Sequence, residues 1–155
     1  MCHGDGGRNF WQVCHHAIDT YLPKSILEWG TGHFGKYALK RGIKYTVVAP
    51  DWIEAPLYLE ELGAICEIYE LDTSEYVKPP GAYDDFDFYI VDHRRRREIL
   101  AHLYTQTTDA LICLHDAQRE RYHAALELFP RVHFMNRSFA IMSNTPEIVD
   151  SIAGA

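Results

Sequence analysis

Apolar residues recur along this chain in two alternating patterns. Phe10, Trp11, Cys14, Ala17, Ile18 and Tyr21 return at threes and fours, the spacing of one helix face, which predicts a helix over 8–21 that ends before Pro23. Ser25 to Trp29 follows and reads as a buried strand. Behind it come a glycine turn and a helix over 34–41 that stops at Gly42. The alternation then repeats, with strand 45–49, helix 52–62 closed by Gly63, strand 64–69, strand 86–91, helix 95–105, strand 110–114 and helix 118–128 ahead of Pro130. The stretch 76–85, with Pro79, Pro80 and Gly81, reads as a loop. Short strands at 132–135 and 139–143 flank Asn136-Arg137 and suggest a hairpin.

Strands alternating with helices predict a mostly parallel sheet covered on both faces, a Rossmann-like, doubly wound α/β fold with an antiparallel hairpin at its C-terminal end. No stretch reads as a linker, so one domain is expected over 1–155, with a flexible N-terminus at 1–7 and a C-terminal tail at 144–155. The 155 residues suffice for one buried core.

Composition narrows the function classes. Apolar residues make up 47% and charged residues 24%, as in an ordinary globular domain. The formal net charge of -7 argues against a protein that coats nucleic acid non-specifically. No apolar run approaches the roughly 20 residues that span a bilayer, and residues 1–10 lack the pattern of an export signal. Cys2, Cys14, Cys66 and Cys113 have neither metal-site nor disulfide-framework spacing, so reduced thiols and a cytoplasmic location are expected. Grouping Cys2, His3, Cys14, His15 and His16 as a zinc site fits no standard spacing. Trp11, Trp29 and Trp52 are read as core or crevice wall, and Tyr122 and Phe129 as core.

Candidate chemistry starts at Glu28-Trp29-Gly30-Thr31-Gly32. With Gly35 the turn reads Gly-x-Gly-x-x-Gly between a strand and a helix, where bare main chain lets a ligand approach and unpaired N–H groups await it. A nucleoside-bearing cofactor fits such a turn. One option is a nicotinamide dinucleotide, with Asp51 near the position of a ribose-binding acid, although such enzymes usually carry a second domain.

Three segments, ILEWGTG, FDFYIVDHR and LICLHDAQRERY, together resemble the class I S-adenosylmethionine-dependent methyltransferases. The likeness runs over roughly 8–143 and is closest to compact members with an LEWGSG-like first motif and a VDxRxR…HDAxRxxY-like later half. The resemblance implies S-adenosylmethionine as cofactor, with Glu28 at its methionine end, Gly30-Thr31-Gly32 beneath it and Asp72 at the adenine amino group. The family's usual ribose acid would fall at Ala49, so Asp51 would have to substitute for it. Phe34 stands where many members have a third glycine.

Asp92-His93 and His115-Asp116 follow the fourth and fifth strands and would meet at the carboxyl edge of the sheet. Asp92, His93 and His115 are the candidate catalytic groups, a site for the leaving proton, with His93 or His115 as a general base because an imidazole titrates near neutral pH. Asp92 and Asp116 match the two aspartates of metal-dependent O-methyltransferases, but Ala117 replaces their asparagine. Two carboxylates alone make a weak metal site, and helix capping explains Asp116 as well. Arg94 to Arg97 crowd a helix start, where the dipole already disfavours cations. Arg94 and Arg95 are therefore candidates for a phosphate or carboxylate on the substrate, with Arg119 and Arg121 adding to them, against the plainer reading of a solvated charged face.

The expected activity is methyl transfer to a small molecule. The alternatives are a non-catalytic Rossmann-like module that has lost its cofactor, and a nicotinamide-dependent enzyme. A chain with so few insertions leaves an exposed crevice, a lid drawn from residues 1–10, or a neighbouring copy in a homo-oligomer to complete the substrate site.

Overall fold

The computed structural model describes residues 9–50, 57–79 and 86–154. β1 (Ser25–Trp29) lies at the middle of the five parallel strands of a seven-stranded sheet. On one side of it are β2 (Lys44–Pro50) and β3 (Ile65–Tyr69), and on the other β4 (Phe88–Val91) and β5 (Leu111–His115), all parallel. β7 (Phe139–Ser143) pairs antiparallel with β5, and β6 (Arg131–Phe134) pairs with β7 at the outer edge. The order is therefore β3-β2-β1-β4-β5-β7-β6. The expected hairpin exists, but its second strand is the one inserted against the parallel sheet.

Burial explains this order. β1, β4 and β7 are buried at every position, which suits their mostly apolar sequences, while the edge strands β3 and β6 mix partly buried and exposed residues. One face is covered by α1 (Phe10–Tyr21), α2 (Gly35–Lys40) and α7 (Pro146–Ala153), which set Val13, Ile18, Ala38 and Ile152 against Ile26, Val47, Ile90 and Ile141. The other is covered by α4 (Ser74–Val77), α5 (Arg96–Gln106) and α6 (His123–Leu126), where Tyr76, Leu103 and Leu126 meet Leu27, Tyr89 and Ile112. α3 (Leu57–Glu61) precedes β3.

Several boundaries move. α1 starts at Phe10 because Asn9 forms a capping box with Gln12, each side chain accepting the other's backbone N–H at 2.9 Å. The expected tail at 144–155 contains α7, whose Val149 and Ile152 are buried, with Pro146 pre-set for a first helical turn. The helix expected over 118–128 is a 3-10 turn at Glu120–Tyr122 leading into the single turn of α6. The backbone leaves β5 through a left-handed Asp116 (φ 59°), so the chain re-enters helix late and tightly. The loop expected over 76–85 overlaps the end of α4, and its portion at 80–85 lies outside the described residues, as do 52–56 of the helix expected over 52–62. Trp29 is core, with its indole N–H donating to the Tyr76 carbonyl at 2.8 Å. Tyr122 and Phe129 are buried as expected, whereas Trp11 is 41% exposed, and Trp52 lies outside the described residues. Among the described residues no helix is long and apolar enough to cross a membrane.

Gly35 is the glycine on which packing depends most. A Cβ there would stand 2.9 Å from the Tyr45 ring and 3.0 Å from a Leu59 methyl, so α2 meets the sheet at a distance only glycine allows. Gly35→Ala is expected to lower stability by about 1–3 kcal/mol in urea unfolding, overpacking outweighing a gain in helix propensity of at most about 1 kcal/mol.

Candidate active site

The parallel strands β1, β4 and β5 end together, and their registers fix what meets there. Trp29 is level with Val91 and Val91 with Leu114, so Asp92 comes to lie beside His115. The Asp92 backbone N–H continues the ladder by donating to the Trp29 carbonyl at 3.0 Å.

The glycine turn is fastened from below. Glu28 is 1% exposed, and its Oε2 accepts the backbone N–H of Gly32, whose φ of 80° needs glycine. Gly30 donates its own N–H to the Val48 carbonyl, and a Cβ on Gly30 would stand 3.3 Å from the Glu28 carboxylate. Burial pushes the Glu28 carboxyl up to about 7, while hydrogen bonds from Tyr45, Gly32 and Phe34 pull the other way. The Thr31 hydroxyl, at the tip of the turn, is buried without a hydrogen-bond partner among the described residues.

Beside the turn lies a cavity of about 370 Å³. Asn9, Phe10 and Trp11 enclose it from the start of α1, His33 and Phe34 from the turn, and Asp92 and His115 from the strand ends. Phe10 presses edge-on against His115 and Phe34, with centroids 4.6 and 5.2 Å apart, and Trp11 leans on His33 at 5.0 Å. Sequence reasoning placed Trp11 in core or wall and allowed residues 1–10 as a lid. The capping box at Asn9 is the signal that puts the first turn of α1 at the crevice.

The acid-histidine pairs join into a network. His115 Nδ1 lies 3.0 Å from Asp92 Oδ1 and 3.3 Å from Asp116 Oδ2. The Arg96 guanidinium passes beneath, donating to the carbonyls of His93 and His115 and to Asp116 Oδ2 at 2.5, 2.9 and 3.2 Å, with Asp92 Oδ1 4.0 Å away. Arg119 adds a 2.7 Å contact to Asp116 Oδ2. Burial raises Asp92 to about 7 against the pull of Arg96, with the Asp116 charge adding to the rise. Burial also lowers His115, and Asp116 only partly offsets it. Burial would raise Asp116 too, but His115, Arg96 and Arg119 outweigh it and hold it below the usual range.

These contacts revise three readings. Asp92 and Asp116 do not offer an open metal seat, since two guanidiniums already occupy Asp116 Oδ2 and one approaches Asp92. Among the described residues no three His, Cys, Asp or Glu side chains are grouped to hold a metal ion. His93 parts company with its neighbour Asp92 and lines a second hollow, where burial and the arginines on either side lower its pKa. Arg95 is not a spare cation: it donates to the carbonyls of Leu71 and Thr73 at 3.0 and 2.7 Å and pairs with Glu98. Arg94 is exposed on the second hollow.

On the strand-two side, Ala49 is buried at 1% exposure and offers no acid, and Asp51 lies outside the described residues. Asp72 is exposed in the turn after β3. Trp29 and Phe34, two side chains that would fill the crevice of a module without a cofactor, are core and wall respectively.

No family model matches the sequence, and no curated protein is similar to it. Solved structures do match in three dimensions. A ribosomal protein L11 methylase from Lactobacillus delbrueckii subsp. bulgaricus superposes with a TM-score of 0.55 at 19% identity, over 85% of this chain and 76% of that one. The N-methyltransferase NodS from Bradyrhizobium japonicum, in complex with S-adenosylhomocysteine, gives 0.53 at 11% identity, over 85% and 82%. The 1,6-didemethyltoxoflavin-N1-methyltransferase of Burkholderia thailandensis, with substrate and S-adenosylhomocysteine bound, gives 0.52 at 15%, over 84% and 76%. At such identities the likeness is one of fold.

Proposed function

We propose, from the premise that the chain carries the class I methyltransferase fold, that it transfers a methyl group from S-adenosylmethionine to an anionic small molecule. The observation that carries this reading is the placement of the glycine turn beside a cavity walled by His33, Phe34, Asp92 and His115. The Thr31 hydroxyl at the turn lacks a partner among the described residues, and Trp11 and His33 supply an aromatic rim.

When bound, S-adenosylmethionine supplies an electrophilic methyl on a sulfonium sulfur. The chain's part is alignment and proton handling. Gly30, Thr31 and Gly32 would lie beneath the cofactor, held in shape by the N–H groups of Gly30 and Gly32 on Val48 and Glu28. Asp92 and His115, 3.0 Å apart, make a pair in which a proton released by the acceptor can rest, Asp92 being poised near pH 7. Arg96 fixes the orientation of both strand ends from beneath.

Ala49 keeps a second reading in view, a binding module without cofactor, because a buried alanine stands near the end of β2 where ribose hydroxyls would need an acceptor. A nicotinamide-dependent enzyme is less well supported, since the antiparallel β7 stands where dinucleotide-binding sheets have a parallel strand. Titration calorimetry should detect S-adenosylmethionine or S-adenosylhomocysteine, with Gly30→Val, whose side chain runs into Glu28, weakening binding at least tenfold. Melting curves must show that the variant is folded. Silence at millimolar cofactor, or a larger thermal shift with NAD or NADP, removes the proposal.

A further inference from the structure

The second hollow measures about 590 Å³, within the size range of small-molecule sites, and six of its lining residues are arginines. They are Arg94 to Arg97, at the start of α5, and Arg119 and Arg121 from the segment after β5. One carboxylate, Glu98, shares the lining. In a chain with a net charge of -7 this is a strong local inversion of sign.

The six divide into two groups. Arg95 is tied to two carbonyls of the turn after β3 and to Glu98, Arg96 to the ends of β4 and β5, and Arg119 to Asp116. These three build the wall. Arg94, Arg97 and Arg121 line the same space with no acid at ion-pair distance among the described residues. The Arg121 guanidinium sits 5.0 Å from the Tyr122 ring, which orients its fork without neutralising it. Three exposed cations line one hollow, only Arg97 feeling the charge of Glu98, and two of them adjoin the positive end of a helix dipole. An anion offsets that charge.

We infer that this hollow binds the phosphate or diphosphate group of a small molecule through Arg94, Arg97 and Arg121. A carboxylate brings one charge and would leave two guanidiniums unmatched. A phosphate monoester brings close to two charges and three acceptor oxygens, and a diphosphate brings more. Guanidinium forks suit these planar pairs of oxygens better than ammonium groups would. The concave shape and the acidic remainder of the chain favour a small molecule over a nucleic-acid strand. His93 and Arg96 line this hollow, and Arg96 reaches the strand ends that carry Asp92 and His115. The ligand's role as methyl acceptor rests on the proposed transferase activity. Its binding does not.

The test is calorimetry and thermal shift with inorganic phosphate and pyrophosphate at fixed ionic strength, against sodium acetate, chloride alone and a single-stranded oligonucleotide. Pyrophosphate should raise the melting temperature and bind more tightly than acetate. Arg94→Gln, Arg97→Gln and Arg121→Gln should each weaken it about tenfold, the loss expected of one charge-assisted hydrogen bond. Arg137→Gln, at the hairpin, should not. Gly30→Val should leave pyrophosphate binding intact, so a failed cofactor titration and a failed phosphate titration are told apart. A pyrophosphate effect no larger than chloride's, equal binding by the three variants, acetate matching pyrophosphate, or an oligonucleotide displacing it would each overturn the inference.

Discussion

Arg96→Ala should destabilise the fold by about 3–5 kcal/mol in urea or thermal unfolding, whereas Arg94→Ala, two residues away, should change it by no more than about 0.5 kcal/mol. Arg96 has a side chain only 10% exposed and reaches two backbone carbonyls and the Asp116 carboxylate, with Asp92 4.0 Å away. Its removal leaves those carbonyls without a donor and two partly buried carboxyls without their shared cation. That combination produces the large cost of breaking one side of an internal ion pair. Asp92 should respond as well. Arg96 is the attraction that opposes the burial-driven rise of its pKa, so the variant should hold the Asp92 proton to still higher pH. Arg96→Lys should restore little, because an ammonium cannot span acceptors on β4, β5 and the turn at once. Equal stabilities for the Arg94 and Arg96 variants would show that the network contributes nothing to folding.

The contrast between these neighbours marks the limit of what the chain discloses in one dimension. The parallel strands were readable because both faces of each are covered, so β1, β4 and β5 are short, mostly apolar segments. The glycine turn was readable for the same local reason: the chain that forms it is contiguous. The site is not local. Asp92 and His93 are adjacent in sequence, yet the first meets His115 and the second faces the arginines, because the chain is leaving the sheet between them. Nothing in Arg94-Arg95-Arg96-Arg97 says which guanidinium is tied to carbonyls and which is left over. That follows from a left-handed Arg95 (φ 55°) at the start of α5, and from the positions of the turns after β3 and β5. α7 escaped notice for another reason: two helical turns with buried Val149 and Ile152 give too short a period to stand out from a tail.

Glu28→Gln should make the protein more stable in alkaline solution while leaving it nearly unchanged in acid. The Glu28 carboxyl, ordinarily near 4.5, is pushed to about 7 in the fold, chiefly by burial. Between those values the folded protein holds a proton that the unfolded chain has released. The native state therefore binds more protons, and stability must fall as pH rises from about 4.5 to about 7, then level off. The drop attached to Glu28 is on the order of 3 kcal/mol. Asp92, raised from 3.8 to about 7, tilts the curve the same way, but by less than its shift suggests, since its side chain is 22% exposed. Glutamine copies the protonated acid, and its carbonyl oxygen can still accept the Gly32 N–H that holds the turn. Urea unfolding of both proteins should coincide within about 1 kcal/mol at pH 5 and diverge by on the order of 3 kcal/mol at pH 8, glutamine above. Parallel curves would mean that the carboxyl ionises freely beneath the turn. A glutamine variant weaker at every pH would mean that the turn needs the negative charge itself, with the donors of Tyr45, Gly32 and Phe34 gathered around an anion in place of a neutral acid.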